Sequence, residues 1–422
     1  MNVDWDPEID TPANVLIIGA GPTGIEAALY ARFLGYSVLV VDSTRVGGRL
    51  ARWGSAPLLD APSEAMSPLG RAALEAQGVA VPAEADVQTC VEFVQNYLIP
   101  VAKTDLLYES IQINSELLSL SRTGAHSQAA LSLEQASELE FRALIRSNKR
   151  GEYSQVFDLV LDCSGTGNRT GLASGQGLAK GETELLTLTE KAKRELEYWD
   201  GPVAVESVDF AGKHVVVFGD DSAARHNVAQ LADLAKSEST KVTWLQPKYY
   251  GDSALVGERE EALLSEAGEA WLRQLSELDS RLEMEPIPGV AVQDCWGVES
   301  ITKQEAGGWV VSFQSKPEES LDCSVDCFIN CNAPRADFGW SHELNPAANS
   351  EQPTGIKGQI VRREPHWYVL GQKSQSVSES AGNERSWLSL SNIHDQIKAA
   401  FGMIGGRGEL DLYKMVREQK TE

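Results

Sequence analysis

Val15-Leu16-Ile17-Ile18-Gly19-Ala20-Gly21-Pro22-Thr23-Gly24 decides the fold of this chain. An apolar run of strand length leads into three glycines at G-x-G-x-x-G spacing. A helix-prone segment follows over residues 25–34, and a second apolar strand at 37–41 ends in Asp42. Each part has a physical task. Gly19 permits the tight turn, Gly21 lets a pyrophosphate approach the backbone, and Gly24 lets the helix pack close to the strand. The helix N-terminus, which opens with Pro22 and Thr23, offers free N–H groups from Thr23 onward and a positive dipole end to phosphates. Asp42 lies where a carboxylate accepts hydrogen bonds from a ribose diol. A lone glycine motif is weak, and a glycine-rich turn that binds nothing is its plain alternative. Strand, turn, helix, strand and acid in this order read as a dinucleotide site.

Composition bounds what surrounds that site. A chain of 422 residues is too long for one ordinary core and suits two domains. Its 42% hydrophobic and 23% charged residues are those of a soluble globular protein. No apolar run is long enough to span a bilayer, and the acidic start over residues 1–12 resembles no secretory signal, so neither leader nor anchor is expected. The net charge of −24 disfavours nucleic acid and anionic membranes as partners. Six scattered cysteines include no C-x-x-C pair, which leaves a redox-active dithiol unsupported. Cys327 and Cys331 flank a strand and read as buried free thiols, and a reduced, cytoplasmic setting is expected.

Further along, residues 88–100 read as a helix with Val91, Val94, Tyr97 and Leu98 on one face. From 107 to 161 the pattern turns to short strands, clearest at 141–147 and 156–161 around an Asn148-Lys149-Arg150-Gly151 hairpin turn. This predicts an antiparallel meander inserted into a parallel-sheet domain. A polar linker at 171–181 and a charged helix at 182–198 follow. Then the opening layout repeats: strand 214–218, turn Gly219-Asp220-Asp221-Ser222-Ala223-Ala224, helix 225–236 and strand 241–245. A helix at 260–278, strands at 309–313, 327–330 and 367–370, Gly371, a polar loop and a last helix at 388–404 complete the pattern. The expected fold is α/β, with two Rossmann-like three-layer domains. Residues 1–204 form the first part of one domain, 205–326 the second domain, and 327–422 the completion of the first.

Two such units, the first interrupted by a meander and completed by a C-terminal strand, glycine and helix, resemble the two-dinucleotide-binding-domain flavoproteins. Within them the chain looks most like the flavin-dependent monooxygenase-like and pyridine-nucleotide oxidoreductase-like branch. The resemblance spans almost the whole chain. It implies FAD in the first unit, with Gly19, Gly21 and Gly24 at the pyrophosphate and Asp42 at the adenosine ribose. It further implies an adenine contact from the strand at 113–117 near Leu117. Asp162-Cys163-Ser164-Gly165 would be the segment that crosses close to the cofactor, and Gly371-Gln372 would lie beside the ribityl chain. Gly48-Arg49 and Trp53-Gly54 would run beside the flavin. Trp53 reads equally as an ordinary core tryptophan.

The second unit departs from the family pattern. Its nicotinamide-binding loop would engage Gly219, Ser222 and Ala223, yet either Asp221 replaces the second glycine or the turn is one residue short. Both options set a carboxylate where a pyrophosphate should lie. Leu245-Gln246-Pro247, with only Lys248 beyond, stands where basic residues usually pair with a 2′-phosphate, and Asn330-Cys331-Asn332-Ala333 stands for a second crossing segment. The expected activity is an FAD-dependent oxidoreductase, NAD(P)H-linked and monooxygenase-like, acting on a small organic substrate. Its alternative is an FAD-binding protein with a non-functional nicotinamide site: a substrate-oxidising or non-redox flavoprotein, or a subunit of a larger assembly. A homodimer or partner protein stays open. The six histidines are dispersed without metal-ligand spacing and read as surface or capping residues, and Arg225-His226 as a solvated helix face. No catalytic residue stands out. Lys373 reads as a loop lysine in solvent; the resemblance alone would bring it near the flavin ring.

Overall fold

A computed structural model describes residues 12–126, 131–166, 177–187, 196–248, 265–305, 308–331, 336–344, 349–351, 360–377, 390–406 and 408–419. The opening run Asn14–Ile18 lies in the middle of a seven-stranded sheet. Ser37–Asp42 and Leu159–Asp162 flank it in parallel, and Ile111–Ile113 and Trp367–Val369 extend the parallel part on either side. Ile360–Glu364 and Asn349–Glu351 close one edge antiparallel. A strand buried on both faces reads as continuous apolar sequence, and alternation then assigns the faces. Val15, Ile17, Leu159 and Leu161 pack beneath the helices, including Pro22–Phe33 and Leu390–Ile404. Leu16, Ile18 and Val160 pack beneath the meander Ser115–Arg122, Phe141–Ser147 and Gly151–Phe157. That is the three-layer arrangement expected.

The second sheet is all parallel, in the order Val290–Cys295, Lys241–Pro247, His214–Phe218, Cys327–Asn330, Glu197–Asp200. The same alternation sends Val215 and Val217 to the helical side and Val216 and Phe218 to the other. There a second antiparallel meander covers them, Gly297–Lys303, Trp309–Lys316 and Glu319–Val325. Two strands of this sheet, at 197–200 and 327–330, lie outside the 205–326 span expected for the unit.

Several expected elements change. The strand at 156–161 is two strands from different sheets. Asp158 turns the chain between them, its Oδ2 accepting from the Asn14 N–H at 2.7 Å and its own N–H donating to Asn14 O at 2.9 Å. The helix at 182–198 is described as a helix over Glu182–Thr187 and a strand over Glu197–Asp200, where pairing to Cys327–Asn330 satisfies the backbone; residues 188–195 lie outside the described residues. The helix near 88–100 runs from 90 to 102 but widens to a π-helix over Phe93–Leu98, ahead of Pro100, whose ring crowds the preceding turn. After Gly371 the polar loop is instead a helix, Gln372–Val377. The helix expected at 260–278 is described as Glu266–Ser276 followed by Leu278–Met284. The expected stretches 167–176, 260–264, 332–333 and 388–389 fall outside the described residues. A terminal helix, Leu412–Gln419, adds to the pattern. Among the described residues no helix is long and apolar enough to cross a membrane.

Candidate functional site: an open turn and a closed one

The first turn is built by close approach. Gly19 has φ +101°, and its N–H donates to Val41 O at 2.8 Å. A Cβ there would fall 2.6 Å from Cys163 O, so only glycine lets the Asp162–Gly165 segment cross at this height. A Cβ on Gly24 would run into the Gly19 carbonyl. Gly21 differs from both. It is the N-cap of Pro22–Phe33 with no side-chain cap, and the space its Cβ would take is open. The first N–H groups of that helix therefore face a cleft without an internal acceptor. Asp42 stands at the mouth: Oδ2 accepts from Ala20 N–H at 2.8 Å, and Oδ1 from Thr44 N–H at 2.8 Å and Thr44 Oγ1 at 2.9 Å. A carboxylate offers about four acceptor sites, which leaves Oδ2 capacity for one ribose hydroxyl.

The cleft measures about 1420 Å³ and lies at the carboxyl ends of the first sheet's strands. Gly19, Gly21, Pro22, Thr23, Asp42, Arg49, Trp53, Leu117, Gly165 and Gln372 all line it, as do Ser222 and Ala223 from the second turn. Gly24, Gly371 and Gly219 sit one layer behind: Gly371 abuts Thr23, and Gly219 abuts Cys331. The stretch expected as one strand at 113–117 breaks at Asn114 (φ +50°), yet all five residues border the cleft. Trp53 borders the cleft and is 8% exposed.

Two expectations are overturned. Lys373 is fully buried, not solvated. Its Nζ donates to Asp162 Oδ2 at 2.6 Å, Ser164 Oγ at 2.9 Å and Asp337 O at 2.5 Å, and it lies 4.1 Å from the centre of the Phe338 ring. Starting the helix at Gln372 turns this side chain inward and staples the crossing segment to the segment at Gly371. His226 is buried, not on a solvated face; its ring sits 5.5 Å from both Trp53 and Trp271, and Nε2 faces Trp53 O at 3.2 Å. Burial pushes its pKa down to about 4. His366 is buried as well, whereas His126 and His342 are exposed. The sequence reading missed Trp271 and Asp60 in the cleft wall. Asp60 Oδ2 accepts from the Leu390 N–H at 3.1 Å, a partner 330 positions away.

The second turn has the same length and the same backbone. Gly219 N–H donates to Leu245 O at 3.1 Å, as Gly19 does to Val41, and Cys331 N–H donates to Phe218 O as Cys163 does to Ile18 O. A Cβ on Gly219 would fall 2.5 Å from Cys331 O. Asp221 is the N-cap of Ser222–Ser237 with φ −81° and ψ 179°, against −73° and −177° at Gly21. Asp221 therefore replaces the second glycine, and the one-residue-short alternative falls. Its Oδ1 accepts from the Ala224 N–H at 2.9 Å, on the ground a pyrophosphate would occupy. Burial pushes its pKa up to about 6, with Asp220 adding to the rise and the Ala224 N–H and Arg49 opposing it. By the same register Gln246 stands where the first unit has Asp42, and Lys248 Nζ pairs with Asp294 Oδ1 at 3.1 Å.

No protein-family model and no curated protein matches the sequence. Among solved structures, the chain is similar to ornithine hydroxylase from Pseudomonas aeruginosa, with a TM-score of 0.57 and 14% identity over 94% of this chain and 100% of that one. It is also similar to the bacillithiol disulfide reductase of Staphylococcus aureus, with a TM-score of 0.55 and 13% identity over 97% and 100%. The FAD-bound cadaverine monooxygenase of Erwinia amylovora gives 0.51 and 10% over 96% and 98%. These are likenesses of fold: two α/β units, each a parallel-strand sheet covered by an antiparallel meander.

Proposed function

We propose that the protein is an FAD-dependent oxidoreductase, monooxygenase-like in architecture, acting on a small organic molecule. One observation carries this: an uncapped helix N-terminus at Gly21, with Asp42 beside it, opening on a cleft of about 1420 Å³. That volume exceeds the roughly 300–1,000 Å³ of ordinary ligand pockets, which suits an extended dinucleotide with a second molecule alongside. The first-turn N–H groups would hold the pyrophosphate, Asp42 the ribose, and the segments at Leu117, Gly165 and Gln372 the two ends of the cofactor. When bound, the flavin would supply two-electron transfer. The chain would orient it, exclude water with Trp53 and Trp271, and hold a compensated charge at Lys373 and Asp162. The free cysteines among the described residues suit the reduced, cytoplasmic setting this reading places it in.

The test is FAD binding by equilibrium dialysis and absorbance, for the natural chain and for Gly21→Asp. The natural chain is expected to bind one FAD, and Gly21→Asp, which copies the second turn's carboxylate into the first, to lose about 100-fold or more in affinity. A folded natural chain that takes up no FAD on reconstitution ends this reading.

A further inference from the structure

We infer that Asp221 is a built-in anion that closes the second turn to the pyrophosphate of nicotinamide dinucleotides. The electrons that reach the cleft then do not come from NADH or NADPH seated on the second unit. The molecule contains its own control. Two turns of equal length, with matching φ and ψ at the N-cap and matching hydrogen bonds to the neighbouring strand, differ in what stands on the helix N-terminus. At Gly21 nothing among the described residues stands there. At Asp221 a carboxylate oxygen already takes the Ala224 N–H, so a phosphate would both displace the cap and meet a like charge.

Independent features of the same unit agree. Gly219 O, which corresponds to the carbonyl that Gly24 presses against in the first unit, is taken at 2.8 Å by the indole N–H of the buried Trp244. The residue equivalent to Gly24 is Ala224, whose side chain keeps the helix from the same close seat. The position equivalent to Asp42 holds the neutral Gln246, whose buried Nε2 has no hydrogen-bond partner among the described residues. Lys248, the cation just beyond the strand, faces Asp294. Arg49, on the short helix Gly48–Ala51 of the first unit, reaches across the cleft into the field of Asp221.

The experiment titrates NADH and NADPH separately into the full-length, flavin-reconstituted protein by calorimetry, for the natural chain, Asp221→Gly and Asp221→Asn. The natural chain is expected to show no saturable binding up to millimolar nucleotide. Asp221→Gly is expected to gain about tenfold or more in affinity, displaceable by inorganic pyrophosphate. Saturable micromolar binding by the natural chain, displaced by pyrophosphate, overturns the inference. So does a folded Asp221→Gly that gains nothing. If Asp221→Gly fails to fold, judged by circular dichroism, Asp221→Asn keeps a capping oxygen while removing the charge, and the same absence of gain overturns the inference there. Flavin content is read separately by absorbance, so a chain that never takes FAD counts against the proposed function while the nucleotide titration still stands.

Discussion

At the scale of single residues, the first unit places small side chains where contact forbids larger ones, and a buried pair where charge needs company. Lys373 and Asp162 are both fully buried and 2.6 Å apart. Removing one partner leaves the other charge without compensation, which costs about 3–5 kcal/mol. Lys373→Met is therefore expected to lower stability by that order in urea unfolding and to weaken FAD binding, because the crossing segment at Asp162 loses its staple. Adding Asp162→Asn to it should recover part of the stability. Gly24→Ala is expected to unseat the Pro22–Phe33 helix from Gly19 and lose flavin on gel filtration. Gly24 and Asp42 were legible in the sequence because a motif fixes their spacing. Lys373 was not, since its partner lies 211 positions away and nothing local marks a lysine as buried. Asp221 was legible as an anomaly, and the structure supplied the choice between its two explanations.

At the scale of elements, Pro22–Phe33 carries a buried acid in its second turn. Glu26 is 6% exposed among Ser67, Tyr97 and Tyr413, and burial pushes its pKa up to about 7. The sign follows from that direction: the neutral form is the one the fold accepts. Its contribution is complete below the ordinary value of 4.5 and is lost as pH rises through about 7. Thermal midpoint is expected to fall between pH 5 and about pH 8 in the natural chain, and Glu26→Gln should flatten that fall. An unchanged slope would assign the pH dependence elsewhere. The central parallel strands at 14–18, 159–162, 214–218 and 327–330 were readable because each buries both faces and writes an apolar run. That same continuity hid the break at Asp158, where two adjoining runs belong to different sheets. The helix after Gly371 was missed because Gln372-Lys373-Ser374-Gln375 is polar. Its buried lysine and serine take ionic and hydrogen-bonded partners that hydropathy does not record.

At the scale of the whole molecule, the two units share a core. Trp53, Ala56 and Cys90 of the first pack with Ala223, Val228 and Leu231 of the second. Ser265, ahead of Glu266–Ser276, donates its N–H to Leu59 O at 2.7 Å and its Oγ to Leu58 O at 2.9 Å. Ligand bound to one unit should then stabilise both. Saturating FAD, at a hundredfold excess over its Kd, is expected to add about 2.7 kcal/mol to a single cooperative unfolding transition. Two resolved transitions, only one of them moved by FAD, would show the shared core to be energetically minor. The tandem architecture could be read from the repeated strand-turn-helix pattern. The shared core could not, since its members come from loops and helices far apart in the chain.

Either aspartate codon becomes a glycine codon through one base change, and the backbone at Asp221 already holds the angles of its glycine counterpart. No loop would have to be rebuilt for that exchange. The charge on this one N-cap is thus open to single-base exchange, while the sheet, the helix and the cleft between the turns need no rebuilding.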